Sequence, residues 1–150
     1  MGLDMYGTPT PEYGTPYAKF IIKGVVADKK TEQPIEGIQV KVVSTFTNAN
    51  GEEDTVFLKP KKITDEDGSF KLKKHGIRHL LESDAFSVAI HFSDIDGEKN
   101  GLFENKAVGL SIEDFEETKP PSGSWFMGEF TKTLDVKLTP QADEENDETN

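Results

Sequence analysis

The sequence predicts an all-β protein, a β-sandwich of seven or eight strands with Greek-key connections and at most one short helix, near residues 77–83. Short segments rich in β-branched and aromatic residues recur along the chain, as is typical of strands. Clusters of Asn, Asp, Gly and Pro separate them, and such spacing of turn signals is typical of sandwiches. The 150 residues suit one domain with a single core.

Four strands are predicted in the first half of the chain, at residues 20–26, 38–44, 55–64 and 69–73. Gly24 interrupts the first of them, which indicates a bulge or the close approach of another backbone. The turn Asn48-Ala49-Asn50-Gly51 connects the second and third strands, because Asn-Gly accepts the positive φ of a hairpin turn. Pro60 has no N–H donor, so the third strand is expected at a sheet edge.

Three more strands are predicted at residues 85–92, 106–112 and 130–138. Together these segments define a folded body at 18–140. Before it, residues 1–17 contain Tyr-Gly-Thr-Pro twice, and their prolines and glycines indicate a flexible tether. After it, residues 141–150 hold five acidic residues and are expected to be a disordered tail.

Charge and composition exclude several functions. The net charge is −11 and the isoelectric point is near 4.7, which argues against nucleic acid or an anionic membrane surface as partner. Five of these charges lie in the tail, so the rest of the chain carries about −6. Without cysteine, disulfides and thiolate chemistry are excluded. No apolar run approaches the roughly 20 residues that span a bilayer.

The first half of the body resembles a known domain family. Lys23-Gly24-Val25-Val26, Gln33-Pro34-Ile35-Glu36-Gly37 and Asp65-Glu66-Asp67-Gly68 follow one another in order. This pattern is similar to the carboxypeptidase-regulatory-like domain of the transthyretin-like (prealbumin-like) and collagen-adhesin B-type sandwiches. Some collagen-adhesin B-type domains crosslink a lysine of the first strand to the last strand. Here alternation points Lys23 and Asp135 outward, so no such bond is expected.

A second resemblance covers almost the whole chain. Its motifs are Met5-Tyr6-Gly7-Thr8-Pro9, the segment from Phe92 to Gly97, Trp125-Phe126 and the strand at 130–138. They resemble the radical S-adenosylmethionine-associated lipoproteins of Bacteroidetes, in which the Tyr-Gly-Thr-Pro segment lies shortly after a lipidated cysteine. The resemblance implies a lipid-anchored protein of the cell envelope, facing the periplasm or the cell surface. This chain lacks the cysteine, which fits a sequence that begins after the lipid site.

The turn Asp94-Ile95-Asp96-Gly97-Glu98-Lys99-Asn100 is the best candidate for a metal site. Asp94, Asp96 and Asn100 offer oxygens on a tight loop, and calcium prefers such ligands. The EF-hand spacing is broken, and Asp and Asn also stabilise turns without any metal. No other cofactor is expected.

A zinc site is a further alternative. His75 and His79 have the i, i+4 spacing that places two imidazoles on one face of a helix, with Glu82 or Asp84 as a third ligand. Gly76 weakens such a helix, and the metalloprotease motif is missing, so solvated loop histidines are the simpler interpretation.

Trp125 and Phe126 follow the flexible segment Pro120-Pro121-Ser122-Gly123-Ser124. They would form either an aromatic platform for a glycan or peptide, or a lid over the core. Burial of the large aromatic area favours the lid.

Catalytic motifs are absent from the sequence: no serine lies in a Gly-x-Ser-x-Gly elbow, and no pair of carboxylates is set apart from the rest. We therefore expect a non-catalytic, monomeric lipoprotein module of the cell envelope that presents a binding or structural surface to an envelope protein or glycan. The alternatives are a small transthyretin-like hydrolase or metal-dependent enzyme, and an accessory or substrate of a neighbouring radical enzyme.

Overall fold

The computed structural model describes residues 16–141, apart from Gly76 and Glu98. Eight strands and two short helices follow in order: β1 (Tyr17–Asp28), β2 (Ile38–Thr47), β3 (Glu53–Ile63), β4 (Ser69–His75), α1 (Arg78–Glu82), β5 (Phe86–Asp94), β6 (Lys106–Leu110), a 3-10 helix (Ile112–Asp114), β7 (Glu116–Lys119) and β8 (Phe126–Leu138). The tether and the acidic tail predicted from the sequence lie almost entirely outside the described residues.

The strands form two four-stranded sheets packed face to face. The first sheet has the order β4-β1-β8-β7, and the second has the order β3-β2-β5-β6. Every pair of neighbouring strands is antiparallel except β1 and β8, which are parallel. The prediction of an all-β sandwich with one α-helix near 77–83 is confirmed. The described helices are too short and too polar to cross a bilayer.

The core lies between the sheets and follows the alternation of the strands. Its fully buried side chains belong mainly to β1, β2, β4, β5 and β8: Phe20, Ile22, Val26, Ile38, Val40, Val42, Leu72, Ile90, Phe92 and Leu138. Phe20 stacks on Phe130 in the adjacent strand, with ring centroids 5.3 Å apart. Because these residues occupy every second position, their neighbours on the same strands point outward to solvent.

The predicted turn after β2 and the predicted edge position of β3 are both confirmed. Asn48 Oδ1 accepts hydrogen bonds from the N–H groups of Asn50 and Glu52, and these close the β2–β3 hairpin. β3, which contains Pro60, is the outermost strand of its sheet. A residue without an N–H donor is tolerated there because one edge of the strand forms no ladder.

Two element predictions need correction. β6 ends at Leu110 rather than at residue 112. Asp114 Oδ2 accepts hydrogen bonds from the N–H and the hydroxyl of Ser111, and this capping interaction starts the 3-10 helix instead. β7 was not predicted, because all four of its residues are polar and exposed and so lack a hydrophobic period.

Gly24 allows the first and last strands to pair. It lies opposite Leu134 in the parallel β1–β8 ladder. A Cβ atom at this position would lie 2.0 Å from the carbonyl oxygen of Leu134, a backbone atom that cannot rotate away. The sequence-based expectation of a close backbone approach at Gly24 is therefore confirmed.

We predict that Gly24→Ala lowers the free energy of unfolding by about 3 kcal/mol, because the added methyl group forces β1 and β8 apart. Chemical denaturation in urea measures the loss. Gly109→Ala in β6 is the matched control, since its Cβ would meet nothing within 4 Å. Equal losses in the two variants would contradict the explanation.

Candidate functional site

The outer face of the first sheet carries four lysines on two adjacent strands. Lys19 and Lys23 belong to β1, and Lys71 and Lys73 belong to β4. All four occupy positions that alternate with the core residues, so they lie on the solvent side of the sheet. We call these four residues the lysine face. Ile21 lies between Lys19 and Lys23 on the same face, and it is only 7% exposed because the side chains around it cover it.

The strand register brings like charges together. Lys23 lies directly opposite Lys71 in the antiparallel β1–β4 ladder, and Lys73 is opposite Ile21. Like charges in directly opposed positions destabilise a sheet. Within the described part of the chain, no carboxylate lies at ion-pair distance from Lys23, Lys71 or Lys73. These three ammonium groups therefore keep an uncompensated positive charge.

One carboxylate is built into the same surface. Glu129 of β8 is 8% exposed, and its Oε2 accepts a 2.7 Å hydrogen bond from the hydroxyl of Thr118. Its Oε1 lies 3.7 Å from Lys19 Nζ. The hydrogen bond from Thr118, together with the positive charges of Lys119 and Lys19, lowers the pKa of Glu129. Glu129 therefore stays ionised at neutral pH and balances Lys19.

The lysine face borders a groove of about 670 Å³. Asp114 and Glu116 lie at the side of β7, away from the lysines of β4. The lining contains six lysines against three carboxylates, a net charge of +3, together with three threonines: Lys19, Lys23, Lys71, Lys73, Lys119, Lys132, Asp114, Glu116, Glu129, Thr118, Thr131 and Thr133. The groove is therefore cationic and rich in hydroxyl groups.

The predicted calcium ligands lie close together, but their two carboxylates already accept hydrogen bonds from within the loop. Asn100 Nδ2 donates a 2.6 Å hydrogen bond to Asp96 Oδ2, and Phe103 N–H donates to Asp94 Oδ2 at 3.1 Å. Burial, followed by the neighbouring Asp96, raises the pKa of Asp94. The hydrogen bond from Asn100 lowers the pKa of Asp96. These contacts close the loop after β5, and calcium binding stays a prediction.

The predicted zinc ligands do not share a helix. His75 is the last residue of β4 and is exposed, whereas α1 begins only at Arg78. The ring of His75 lies against Tyr17, with centroids 5.1 Å apart. His79 lies in α1, but its side chain is outside the described structure. The premise of two imidazoles on one helix face is therefore wrong, because the strand continues through His75.

In the described residues, no group of three or more His, Asp and Glu side chains is arranged to hold a metal ion. These residues include Glu82 and Asp84, which the sequence suggested as third zinc ligands, and the loop after β5 except Glu98.

Trp125 is not a lid over the core, although the sequence favoured that interpretation. Its side chain is 40% exposed, and its carbonyl oxygen accepts a 2.7 Å hydrogen bond from Tyr17 N–H. Phe126 is half-buried, with its ring centroid 5.7 Å from that of Tyr17. The proposed aromatic platform at Trp125 and Phe126 stays a prediction.

A buried lysine was missed by sequence reasoning. Lys74 lies on the core side of β4, is 3% exposed, and donates a hydrogen bond through Nζ to the carbonyl oxygen of Leu58. Burial lowers its pKa to about 8. The signal was present in the sequence, because Lys73 and Lys74 are adjacent in a strand and adjacent residues point to opposite sides.

Comparisons with known proteins give matches only among solved structures, since no family model and no curated protein matches the sequence. The chain is similar to 3-chlorocatechol 1,2-dioxygenase from Rhodococcus opacus 1CP, with 16% identity over 81% of this chain and 60% of that one, and a TM-score of 0.48. It is similar to hydroxyquinol 1,2-dioxygenase from Pseudomonas putida DLL-E4, with 12% identity over 83% and 57%, and a TM-score of 0.49.

A third match is the C-terminal domain of a shaft pilin from Lactobacillus rhamnosus GG, with 10% identity over 82% of this chain and 98% of that domain, and a TM-score of 0.42. The chain spans less than two thirds of the length of the two dioxygenases.

The prediction of a non-catalytic module is contradicted. Dioxygenases stand beside pilin domains among the matching structures, so the fold does not support an assignment as non-catalytic. At 10 to 16% identity these similarities concern the fold alone, and a fold does not determine a function. Function has to be argued from the side chains of this chain.

We predict that Lys74→Met raises the free energy of unfolding at pH 7 by about 2 kcal/mol. The unfolded lysine holds its proton up to 10.5, while the folded one releases it at about 8. The unfolded state therefore binds more protons between these values, and the stability of the unaltered protein rises with pH across this window. Chemical denaturation at pH 7, 9 and 10.5 should therefore show that the difference in free energy of unfolding between the variant and the unaltered protein decreases as the pH rises.

Lys73→Met is the control for this experiment, because Lys73 is the exposed neighbour on the same strand. Burial of the ammonium group would not be the cause of the stabilisation if Lys74→Met were more stable by the same amount at every pH. The same conclusion would follow if Lys73→Met behaved like Lys74→Met.

We predict that Asp94→Asn raises the melting temperature at pH 7 without calcium by a few degrees. The amide keeps its one acceptor oxygen for the Phe103 N–H and loses only the long 3.4 Å bond from the Asp96 N–H, while it removes a partly buried charge beside Asp96. Asp96→Asn should instead lower the melting temperature, because the side chain of Asn100 loses the ionised carboxylate that accepts its hydrogen bond. Differential scanning calorimetry measures both variants. If the loop binds calcium, millimolar calcium will raise the melting temperature of the unaltered protein and not that of Asp94→Asn.

Proposed function

We propose that the protein binds an anionic polysaccharide on the lysine face. The observation that carries this proposal is the register of β1 and β4, which places Lys23 directly opposite Lys71 with no carboxylate of the described chain at ion-pair distance. Such an arrangement costs stability in the free protein. An anionic ligand lying across the two strands removes this cost.

The chemistry of the groove supports a carbohydrate rather than a nucleic acid. The exposed Thr133 stands beside the lysines, whereas the hydroxyls of Thr118 and Thr131 already bond each other, and Thr118 also bonds Glu129. An exposed hydroxyl exchanges hydrogen bonds with sugar hydroxyls, while ammonium groups pair with carboxylate or sulfate. None of the described residues that line the groove is aromatic, whereas proteins that bind single-stranded nucleic acids use aromatic rings to stack the bases.

The charge distribution agrees with this function. The described residues contain all 17 Lys and Arg but only 20 of the 28 Asp and Glu, a net charge of −3. Attraction at a surface depends on the charges within a Debye length of about 8–10 Å. A cationic groove is therefore compatible with an acidic chain. We further propose an envelope location, which is supported by the resemblance to Bacteroidetes lipoproteins.

We predict that the protein binds polygalacturonate or dextran sulfate, but not uncharged dextran, in affinity electrophoresis at low ionic strength. Lys23→Gln/Lys71→Gln should weaken binding about tenfold, because two of the unpaired ammonium groups are lost. The two polymers distinguish a preference for carboxylate from a preference for sulfate.

Lys59→Gln/Lys61→Gln is the matched control, with the same change of charge on the other sheet. Equal weakening by both double variants would show non-specific attraction and contradict the proposal. Tighter binding to single-stranded oligothymidylate than to either polysaccharide would also contradict it.

A further inference from the structure

The second sheet carries a separate groove that the proposed function does not use. It has a volume of about 480 Å³ and lies along β2 and β3, where it is lined by Gln39, Lys41, Phe57, Leu58, Lys59 and Lys61. β3 is the outermost strand of this sheet. Among the described residues, this lining contains three ammonium groups, the exposed ring of Phe57 and no carboxylate, while the Leu58 side chain packs against the core.

A bulge in the β2–β3 ladder forms this groove. Val40 pairs with Lys62 and Val42 pairs with Leu58, so the single residue Lys41 faces the three residues 59–61. Extra residues of this kind interrupt the ladder and bend the strand that carries them, and bulges are common at sheet edges. Pro60 lies inside the bulge, where its missing N–H leaves no ladder hydrogen bond unmade.

The floor of the groove is an exposed aromatic ring. Phe57 is 59% exposed, the largest exposure among the large apolar side chains of the described residues. The ammonium group of Lys41 lies 4.0 Å from the ring centroid, which is a favourable cation–π contact. The contact fixes a positive charge directly above an apolar surface before any ligand arrives.

Protection of the sheet edge explains only part of this arrangement. Lysines and a proline on an outer strand keep it from pairing with other chains. This role does not explain why Phe57 is 59% exposed, because an exposed apolar side chain on an outer strand favours association with other chains. A ligand with both an apolar part and an anionic group would use both features of the groove.

We propose that this groove binds an amphipathic carboxylate, with its hydrocarbon chain along the exposed ring of Phe57 and its carboxylate between Lys59, Lys61 and Lys41. The volume lies in the range of small-molecule sites, which are largely apolar with a few polar groups that fix orientation. The positive charge of the three lysines selects an anion over a neutral or cationic amphiphile of the same chain length, and Gln39 adds only a neutral amide.

The test is isothermal titration calorimetry of the full chain with dodecanoate below its micellar concentration. We expect saturable binding of dodecanoate and at least tenfold weaker binding of dodecyltrimethylammonium. Lys59→Gln/Lys61→Gln should weaken dodecanoate binding about fivefold or more, and Phe57→Ser should do the same by removing the apolar floor. Circular dichroism checks that each variant is folded.

Lys23→Gln/Lys71→Gln serves as the control, because it removes the same charge from the lysine face and should leave dodecanoate binding unchanged. Equal affinity for the two amphiphiles, or unaltered binding by Lys59→Gln/Lys61→Gln, would overturn the inference. These results are independent of polysaccharide binding, so either proposal can fail without the other.

Discussion

The pairing of β1 with β8 is the constraint on which the rest of the structure depends. These strands come from opposite ends of the described chain and lie side by side at the centre of the first sheet. They approach closely because Gly24 has no side chain to meet the carbonyl of Leu134. The same pairing places Glu129 next to Lys19, and it thereby decides which lysine of the outer face is neutralised. The order of the first sheet and the position of Glu129 on its outer face therefore both depend on the close approach of Gly24 to Leu134.

Separation of charge between regions of the chain explains how an acidic protein presents a cationic surface. The tail and several turns hold much of the negative charge, including Asp65, Glu66 and Asp67. Strand positions facing outward on β1 and β4 hold lysines instead. A net charge is a sum over the whole molecule, whereas a ligand meets only the groups within a few ångströms. The isoelectric point therefore does not describe the charge of individual surfaces.

Alternation along the chain was enough to predict the strands, the inward residues of β1 and the role of Gly24, because each depends on local sequence. β7 could not be predicted, since Glu116 and its neighbours have no apolar face. The lysine face could be predicted only in part. The outward direction of Lys23 follows from its strand, but its position opposite Lys71 depends on a pairing between strands far apart in sequence. The exposure of Trp125 likewise depends on tertiary packing.

The bulge opposite Lys41 has a consequence for how many molecules the protein can hold at once. It lies on the second sheet, while the lysine face lies on the outer side of the first. Packed sheets are about 10 Å apart, and outward side chains increase the distance between the two charged surfaces. The described linings of the two grooves share no residue, so a ligand in one groove does not contact the side chains of the other. The two proposed sites therefore lie on different sheets, and together they would allow one molecule to hold two different anionic ligands at once.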